Sequence, residues 1–279
     1  MNVTDEQALI FDLHSHTTCS DGTLTPRELV SRAIEKNVYA LAITDHDTVD
    51  AFCDMPVIDG PLELIAGVEF STQWEHTGIH VLGLNIDLDS DAIRSGTKFQ
   101  TDARLERARQ IGRNLEKQGV AGAFEGASKL SGGSYIGRPH FARYLINTGT
   151  AASMEAAFKK YLGAGKAGDV REHWAELPQI IQWIRDAKGI PVLAHPLKYK
   201  LTRTKLKRLV DGFQQAGGQG IEVVSGQQLP QHTIDMALLC EQKGLLASCG
   251  SDFHMPGPWN ELGVFAPLPD HVIPVWDRF

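Results

Sequence analysis

Seven short apolar runs, each closing on polar residues, constrain this chain more than any other feature of its sequence. They are ALIFDLHSH, VYALAITDHD, LELIAGVEFS, IHVLGLNID, IPVLAHP, GIEVVSG and LLASCGSDFH. A continuous apolar run beside helical periodicity suits a parallel strand buried on both faces, since a strand with one wet face would alternate. The helices between them have legible ends. Thr25 is placed to cap TPRELVSRAIEKN, with Pro26 at the first helical position and Glu28 three residues after the cap. LPQIIQWIRDAKG closes on Lys-Gly, as helices commonly do. About seven strands alternating with helices predict an α/β chain, a barrel related to the eightfold β/α type but one unit short. A length of 279 residues supplies ample core for it.

The alternation breaks from about residue 97 to about residue 168. TDARLERARQIGRNLEKQG, RPHFARYLINTG and SMEAAFKKYLG read as helices with no strand among them. This predicts a helical insertion over 97–168 set into a barrel formed by 1–96 and 169–279.

The chemistry collects where the apolar runs end. His14 and His16 lie two apart, so on an extended segment both imidazoles share a face and can reach one ion. Asp21 follows in a Ser-Asp-Gly turn, and His46 stands just past the second run, between Asp45 and Asp47, which read as capping carboxylates. Glu69 ends LIAGVEF, where an unpaired carboxylate would be costly. His195 closes PVLAHP, and Asp252 and His254 follow LLASC. Barrel active sites assemble at the carboxyl ends of their strands, which places all these groups together. His80 breaks the rule because it begins its run, so a distorted barrel or a shifted strand boundary is needed. Six of the eleven histidines and three carboxylates make nine potential ligands, with no thiolate among them. That suffices for about three ions sharing a bridging carboxylate, and the donor types suit Mn²⁺, Fe²⁺ or Zn²⁺ rather than Ca²⁺.

A net charge of −7 disfavours a protein that coats nucleic acid, but leaves room for a local basic pocket. Cys19, Cys53, Cys240 and Cys249 show no paired spacing and read as reduced thiols. The N-terminus carries acids where a secretory signal carries bases, and no run approaches the roughly 20 apolar residues of a membrane span. A cytoplasmic location is predicted.

HSHTTCSDG, TDHDT, GVEFS, the histidine of GIHVLG, AHP and GSDFH together resemble the PHP family, named for polymerase and histidinol phosphatase. The resemblance spans nearly the whole chain. It implies a distorted seven-stranded barrel with a trinuclear centre. His14, His16, Glu69 and Asp252 would serve one ion, and Glu69 would bridge to a second ion held by His80 and His195. Asp21, His46 and His254 would hold the third. GRPHFARYL, FKKYLGAGKAG and VREHWAELPQIIQWIRDAKGIPVLAHP resemble the bacterial 3′,5′-nucleotide bisphosphatases of that family, a group that includes ribonuclease AM-like 5′-to-3′ exoribonucleases. Two departures are Lys198 after AHP, where some relatives would carry Arg, and Asp169, an acid after GKAG.

The resemblance implies hydrolysis of the 3′-phosphate of nucleoside 3′,5′-bisphosphates, and cleavage of RNA after a 5′-phosphorylated nucleotide. A second phosphate needs its own anchor. Arg138 is the leading candidate, because a guanidinium fork matches phosphate oxygens and it sits in a Gly-Arg-Pro turn. Arg143, Lys166 and Lys198 are further candidates, and His140 either protonates the leaving oxygen or packs. The rival readings are a histidinol-phosphate phosphatase, which needs no second anion site, and a non-catalytic PHP module, which would be expected to lose ligands.

Overall fold

Short parallel strands and a single reversed one build the frame. The computed structural model describes residues 9–53, 55, 60–132, 135–170, 174–258 and 260–279. The acidic N-terminal residues and Arg171 to His173 of the VREHWAEL segment lie outside them. The strands are Phe11–Asp12 (β1), Ala40–Ile43 (β2), Glu63–Trp74 (β3), Thr77–Leu84 (β4), Ile190–Leu193 (β5), Gly220–Ser225 (β6) and Leu246–Gly250 (β7). They form one sheet in sequence order. Every neighbouring pair is parallel except β3–β4 and β4–β5, so β4 alone runs backwards. The Leu13 amide donates to the Cys249 carbonyl at 3.0 Å, and Ser15 bridges Phe253. These contacts bring β1 against β7 and nearly close a seven-stranded barrel.

The reversed strand resolves the position of His80. In an antiparallel neighbour the first residues lie beside the last residues of the parallel strands, and His80 pairs with Ser71. The boundary also lies earlier than the run suggested, since β4 starts at Thr77 and His80 is its fourth residue. Glu69 does not end its strand, as the sequence suggested. β3 continues to Trp74 and turns into β4, and Glu69 sits where its neighbours stop, bridged to His46.

Helices α1 (Pro26–Glu35), α6 (Leu177–Asp186), α7 (Arg203–Gln215) and α8 (Pro230–Lys243) cover the parallel strands. The α1 start is as expected: the Thr25 hydroxyl accepts from the Glu28 amide, and the Glu28 carboxylate accepts from the Thr25 amide. Leu82, Leu84, Val192 and Ala194 share one apolar cluster within the sheet. Phe70, Ile181, Ile184, Leu209 and Phe213 form part of another beneath α6 and α7. Each such large side chain contributes roughly 1.5–3 kcal/mol when buried.

Between β4 and β5 lie α2 (Asp91–Glu116), α3 (Ala123–Leu130), α4 (Arg138–Asn147) and α5 (Met154–Ala157), the last passing into a π turn at Phe158–Leu162. α3 was not anticipated, and α2 begins ten residues before the segment read as helical, capped by Ser90. Ile111, Leu115, Phe141, Leu145 and Leu162 give this region an apolar cluster of its own. α2 joins the two regions, because Ile93 packs in the barrel's cluster and Ala108 in the second.

Candidate metal centre

Local backbone chemistry delivers each side chain to the barrel mouth. After β1, the Asp252 amide donates to the His14 carbonyl at 2.9 Å and the His16 amide to the Phe253 carbonyl at 2.8 Å. This extended path sends His14 and His16 one way while the Ser15 hydroxyl donates backwards to the Ala42 carbonyl at 2.7 Å. The chain then folds tightly. Asp45 accepts from the Thr17 amide at 2.7 Å, the Thr17 hydroxyl at 2.6 Å and the Ser20 hydroxyl at 2.5 Å. A Cβ on Gly22 would lie 2.4 Å from the His16 carbonyl oxygen, so only glycine allows this approach. Asp21 is thereby turned toward the histidines. His195 and Asp252 both take left-handed backbone angles, φ 27° and 52°, directly after their strands. Such strain is concentrated at functional sites.

All nine predicted ligand residues converge. Nε2 of His14 lies 3.3 Å from Glu69 Oε2 and 3.4 Å from Asp252 Oδ1, and Nε2 of His16 lies 3.3 Å from each of the same two oxygens. Donors about 2.1 Å from one ion in tetrahedral array would be roughly 3.4 Å apart. The other Glu69 oxygen, Oε1, is 2.9 Å from both His80 Nδ1 and His195 Nε2. Asp21 lies 3.3 Å from His254 and 3.8 Å from His46, and His16 joins this group through Nδ1 at 4.0 Å. The four-residue group His16, Asp21, His46 and His254 brings its ligand atoms within 4.8 Å of one another.

Divalent cations fit this constellation on a test of unmet valence. Nε2 of His14, both ring nitrogens of His16 and Nδ1 of His46 are buried without a hydrogen-bond partner, as are Glu69 Oε2 and Asp21 Oδ1. Orphaned buried polar atoms are rare and costly; their concentration here, with imidazole and carboxylate donors only, suits Mn²⁺, Fe²⁺ or Zn²⁺. Burial works against the Glu69 charge, yet the imidazoles of His46, His80 and His14 hold that carboxyl well below its usual range. Burial likewise opposes the Asp252 charge, which His14, His16 and Lys198 more than offset. His46 is pushed down to about 3 by burial, against the pull of Glu69 and Asp21, so it is neutral and able to ligate.

Other groups hold the candidate ligands in place. Glu222, buried in β6, is 3.0 Å from His14 Nδ1, and its second oxygen accepts from the His195 amide at 2.5 Å. It leaves His14 Nε2 facing inward. The Tyr199 hydroxyl accepts from the His80 amide at 2.9 Å and donates to the Ala194 carbonyl. Asp47 accepts from the Ser71 amide at 2.7 Å and pairs with Arg104. Asp45 and Asp47 are thus engaged structurally, in loop pinning rather than helix capping.

Beside Asp21, His46 and His80 opens a cavity of about 540 Å³, whose lining also includes Arg104, Arg107 and Arg138. The Arg104 guanidinium lies 4.2 Å from the Tyr135 ring centre and 4.8 Å from that of Trp174, and Arg107 donates to the Val170 carbonyl at 2.7 Å. Burial, followed by the charges of Arg138 and Arg104, pushes Arg107 down to about 9. The Arg104 charge is met by Asp47, while the like charges acting on Arg107 are ones that an anion on this lining would relieve. Arg138 was anticipated; Arg104 and Arg107 were not. Their signal was the Arg-x-x-Arg spacing of RLER, residues 104–107, followed by Ala108 and Ile111 on the same helical face.

The remaining candidates fall elsewhere. Arg143 is half-buried on α4, Lys166 is exposed, and neither lines this cavity. Lys198 pairs with Asp252 and borders a different cavity. His140 is the third residue of α4, and its Nδ1 accepts from the Gly137 amide at 3.2 Å. The acid at 169 has a local role: its carboxylate accepts from the Gly165 amide at 2.7 Å and shapes the loop beside Arg138.

The PHP domain model matches residues 12–188. The chain is 48% identical over 276 residues to the 5′-3′ exoribonuclease Rnm of Salmonella typhimurium, covering 98% of this chain and 94% of that one. It is 41% identical over 269 residues to the 3′,5′-nucleoside bisphosphate phosphatase of Chromobacterium violaceum, covering 95% and 94%. Among solved structures, an amidohydrolase from Chromobacterium violaceum with bound sulfate and no metal superposes with a TM-score of 0.85 at 40% identity, covering 96% and 94%.

Proposed function

The chain belongs to the PHP domain family, and from that premise we propose that it hydrolyses the 3′-phosphate of nucleoside 3′,5′-bisphosphates and trims 5′-phosphorylated RNA as a 5′-3′ exoribonuclease. The observation that carries this reading is one cavity lined both by members of the histidine–carboxylate cluster and by Arg104, Arg107 and Arg138. A monophosphate such as histidinol phosphate uses only the first. A nucleotide with phosphates on both its 3′ and 5′ oxygens uses both. The names of the Salmonella and Chromobacterium relatives support the same pair of substrates.

In this reading His14, His16, Glu69 and Asp252 hold one ion, Glu69 with His80 and His195 a second, and Asp21, His46 and His254, with His16 beside them, a third. The resident metal is Mn²⁺, with Fe²⁺ and Zn²⁺ as the alternatives. When bound, such ions acidify water and neutralise charge on a phosphoryl group. The residues do the rest. Glu222 fixes the His14 ring, Asp45 pins the turn that carries Asp21, and Arg138 with Arg104 and Arg107 anchors the 5′-phosphate so that the 3′-phosphate meets the cluster. Water adds to phosphorus as the bond to the 3′-oxygen breaks, and that oxygen takes up a proton. A general-acid role for His140 belongs to this reading: burial keeps its ring neutral, and with Nδ1 accepting from Gly137 the proton resides on Nε2.

The division into a barrel of 1–96 and 169–279 and a helical insertion of 97–168 is part of the proposal, supported by the two apolar clusters. Reduced cysteines accord with a cytoplasmic enzyme, and among the described residues no helix is long and apolar enough to cross a membrane. The test is a comparison of rates on adenosine 3′,5′-bisphosphate, a short 5′-phosphorylated RNA and histidinol phosphate, with Mn²⁺ and after chelation. The first two should be turned over only with metal, and far faster than the third. Preference for histidinol phosphate would overturn the reading.

A further inference from the structure

Among the described residues three cavities border the cluster: one beside Thr48 and Thr101 shares His46, Arg104 and Tyr135 with the arginine cavity, and another shares no lining residue with it. His46, His80 and Asp21 face the arginine cavity, whereas His195 faces a second cavity of about 320 Å³ walled by Leu197, Lys198, Gln227, Leu229 and His232. Nothing in the phosphatase reaction uses it. We propose that this second cavity receives the nucleotide that follows the scissile phosphate in 5′-phosphorylated RNA. The inference rests on the function proposed above and extends it.

The stereochemistry of displacement supplies the first argument. Water attacks phosphorus opposite the 3′-oxygen, the bond to that oxygen breaks, and a proton passes to it. The phosphate stays on the 5′-oxygen of the next nucleotide. That 5′-oxygen lies in the equatorial plane, so the remaining chain leaves the centre sideways from the nucleotide held by the arginines. It needs room of its own that begins at the cluster. The second cavity begins there: His195 Nε2 is 2.9 Å from Glu69 Oε1, and the Lys198 ammonium pairs with Asp252.

Size and lining supply the second. The volume is at the small end of ligand cavities, roughly 300–1,000 Å³, which suits one nucleoside and excludes folded RNA. Leu197 and Leu229, the latter 65% exposed, present apolar surface to a base. The exposed His232 ring offers a stacking plane and the exposed Gln227 amide can bond a base edge or a ribose hydroxyl. The Ser225 hydroxyl, also on the lining, is buried without a hydrogen-bond partner. A free bisphosphate ends at its 3′-phosphate and places nothing in this space. The cavity therefore distinguishes RNA from nucleotide while leaving the chemistry common to both.

Kinetics on two substrates test this. With Mn²⁺, kcat/KM is measured for adenosine 3′,5′-bisphosphate and for the 5′-phosphorylated dinucleotide pApA, using the unaltered chain, Gln227→Ala/His232→Ala, and His232→Phe. The double variant should lose about tenfold on pApA, within the range for one stacked base, and retain its rate on the bisphosphate, which also reports correct folding. His232→Phe should keep pApA turnover, because a ring is preserved. Equal losses on both substrates, or undiminished pApA turnover in the double variant, would overturn the assignment. So would an unaltered chain that hydrolyses the bisphosphate but not pApA, a result that leaves the phosphatase reading standing. Failure on both substrates would instead remove the proposed function itself.

Discussion

Arg138 and Glu222 line different cavities beside the cluster, and each carries a separable prediction. Arg138→Ala should raise KM for adenosine 3′,5′-bisphosphate by tenfold or more, about the value of one charge-assisted hydrogen bond, while an aryl phosphate lacking a second anion is hydrolysed nearly as before. Equal losses on both would remove Arg138 from substrate recognition. Glu222→Gln keeps the shape of the side chain but removes the charge beside His14 Nδ1. Mn²⁺ affinity measured by calorimetry should fall about 10–100-fold; an unchanged isotherm would contradict the orienting role. The two residues also mark what a sequence does and does not disclose. The nine cluster residues were legible because imidazoles and acids at the ends of apolar runs have no cheap structural explanation. Arg104 and Arg107 were hidden, since arginines on a charged helix look like a solvated face until the partner surface is known. Glu222 was overlooked inside GIEVVSG, although a lone acid within a buried strand is itself a signal.

Among the elements, the β1–β7 seam and the turn after it carry the site. Gly22→Val would force a Cβ into the His16 carbonyl and displace the turn that bears Asp21. The loaded protein should then lose the ion of the Asp21 group and keep the other two, a change that elemental analysis detects. Retention of full metal content would show that Asp21 is not held by this turn. By contrast Thr25→Ala removes only the cap of α1 and should lower unfolding free energy by about 1 kcal/mol, with metal content intact. Strand number and most helix positions were readable from periodicity. The direction of β4 was not, because an apolar run carries no arrow. His80 was the one hint, a site residue at the wrong end of its run, and the antiparallel β3–β4 hairpin is its physical resolution. α3 was missed because AFEGASKL is short and contains a glycine, which lowers helix propensity.

At the scale of the whole molecule, folding and metal loading should form one equilibrium. His254 shows the coupling. Burial alone would lower it, but the Asp21 carboxylate 3.3 Å away, with Asp252, raises it to about 9. A raised imidazole stabilises the metal-free fold fully below its ordinary value of 6.5, and that contribution disappears as pH climbs through about 9. Cations compete for the same lone pair, so their binding strengthens over the same window. The gap between the denaturation midpoints of the Mn²⁺-loaded and chelated protein should widen from pH 6.5 to pH 9; a constant gap would contradict the linkage. The central claim is that one cluster of nine side chains binds the ions on which phosphate ester hydrolysis depends. Its most direct test is a Mn²⁺ titration of the chelated protein, following bound metal and adenosine 3′,5′-bisphosphate hydrolysis together in the unaltered chain and in Glu69→Gln. About three ions should bind per unaltered chain, with hydrolysis rising as they bind, and both should be lost in the variant. Full hydrolysis by metal-free protein, or an unaffected Glu69→Gln, would contradict that claim.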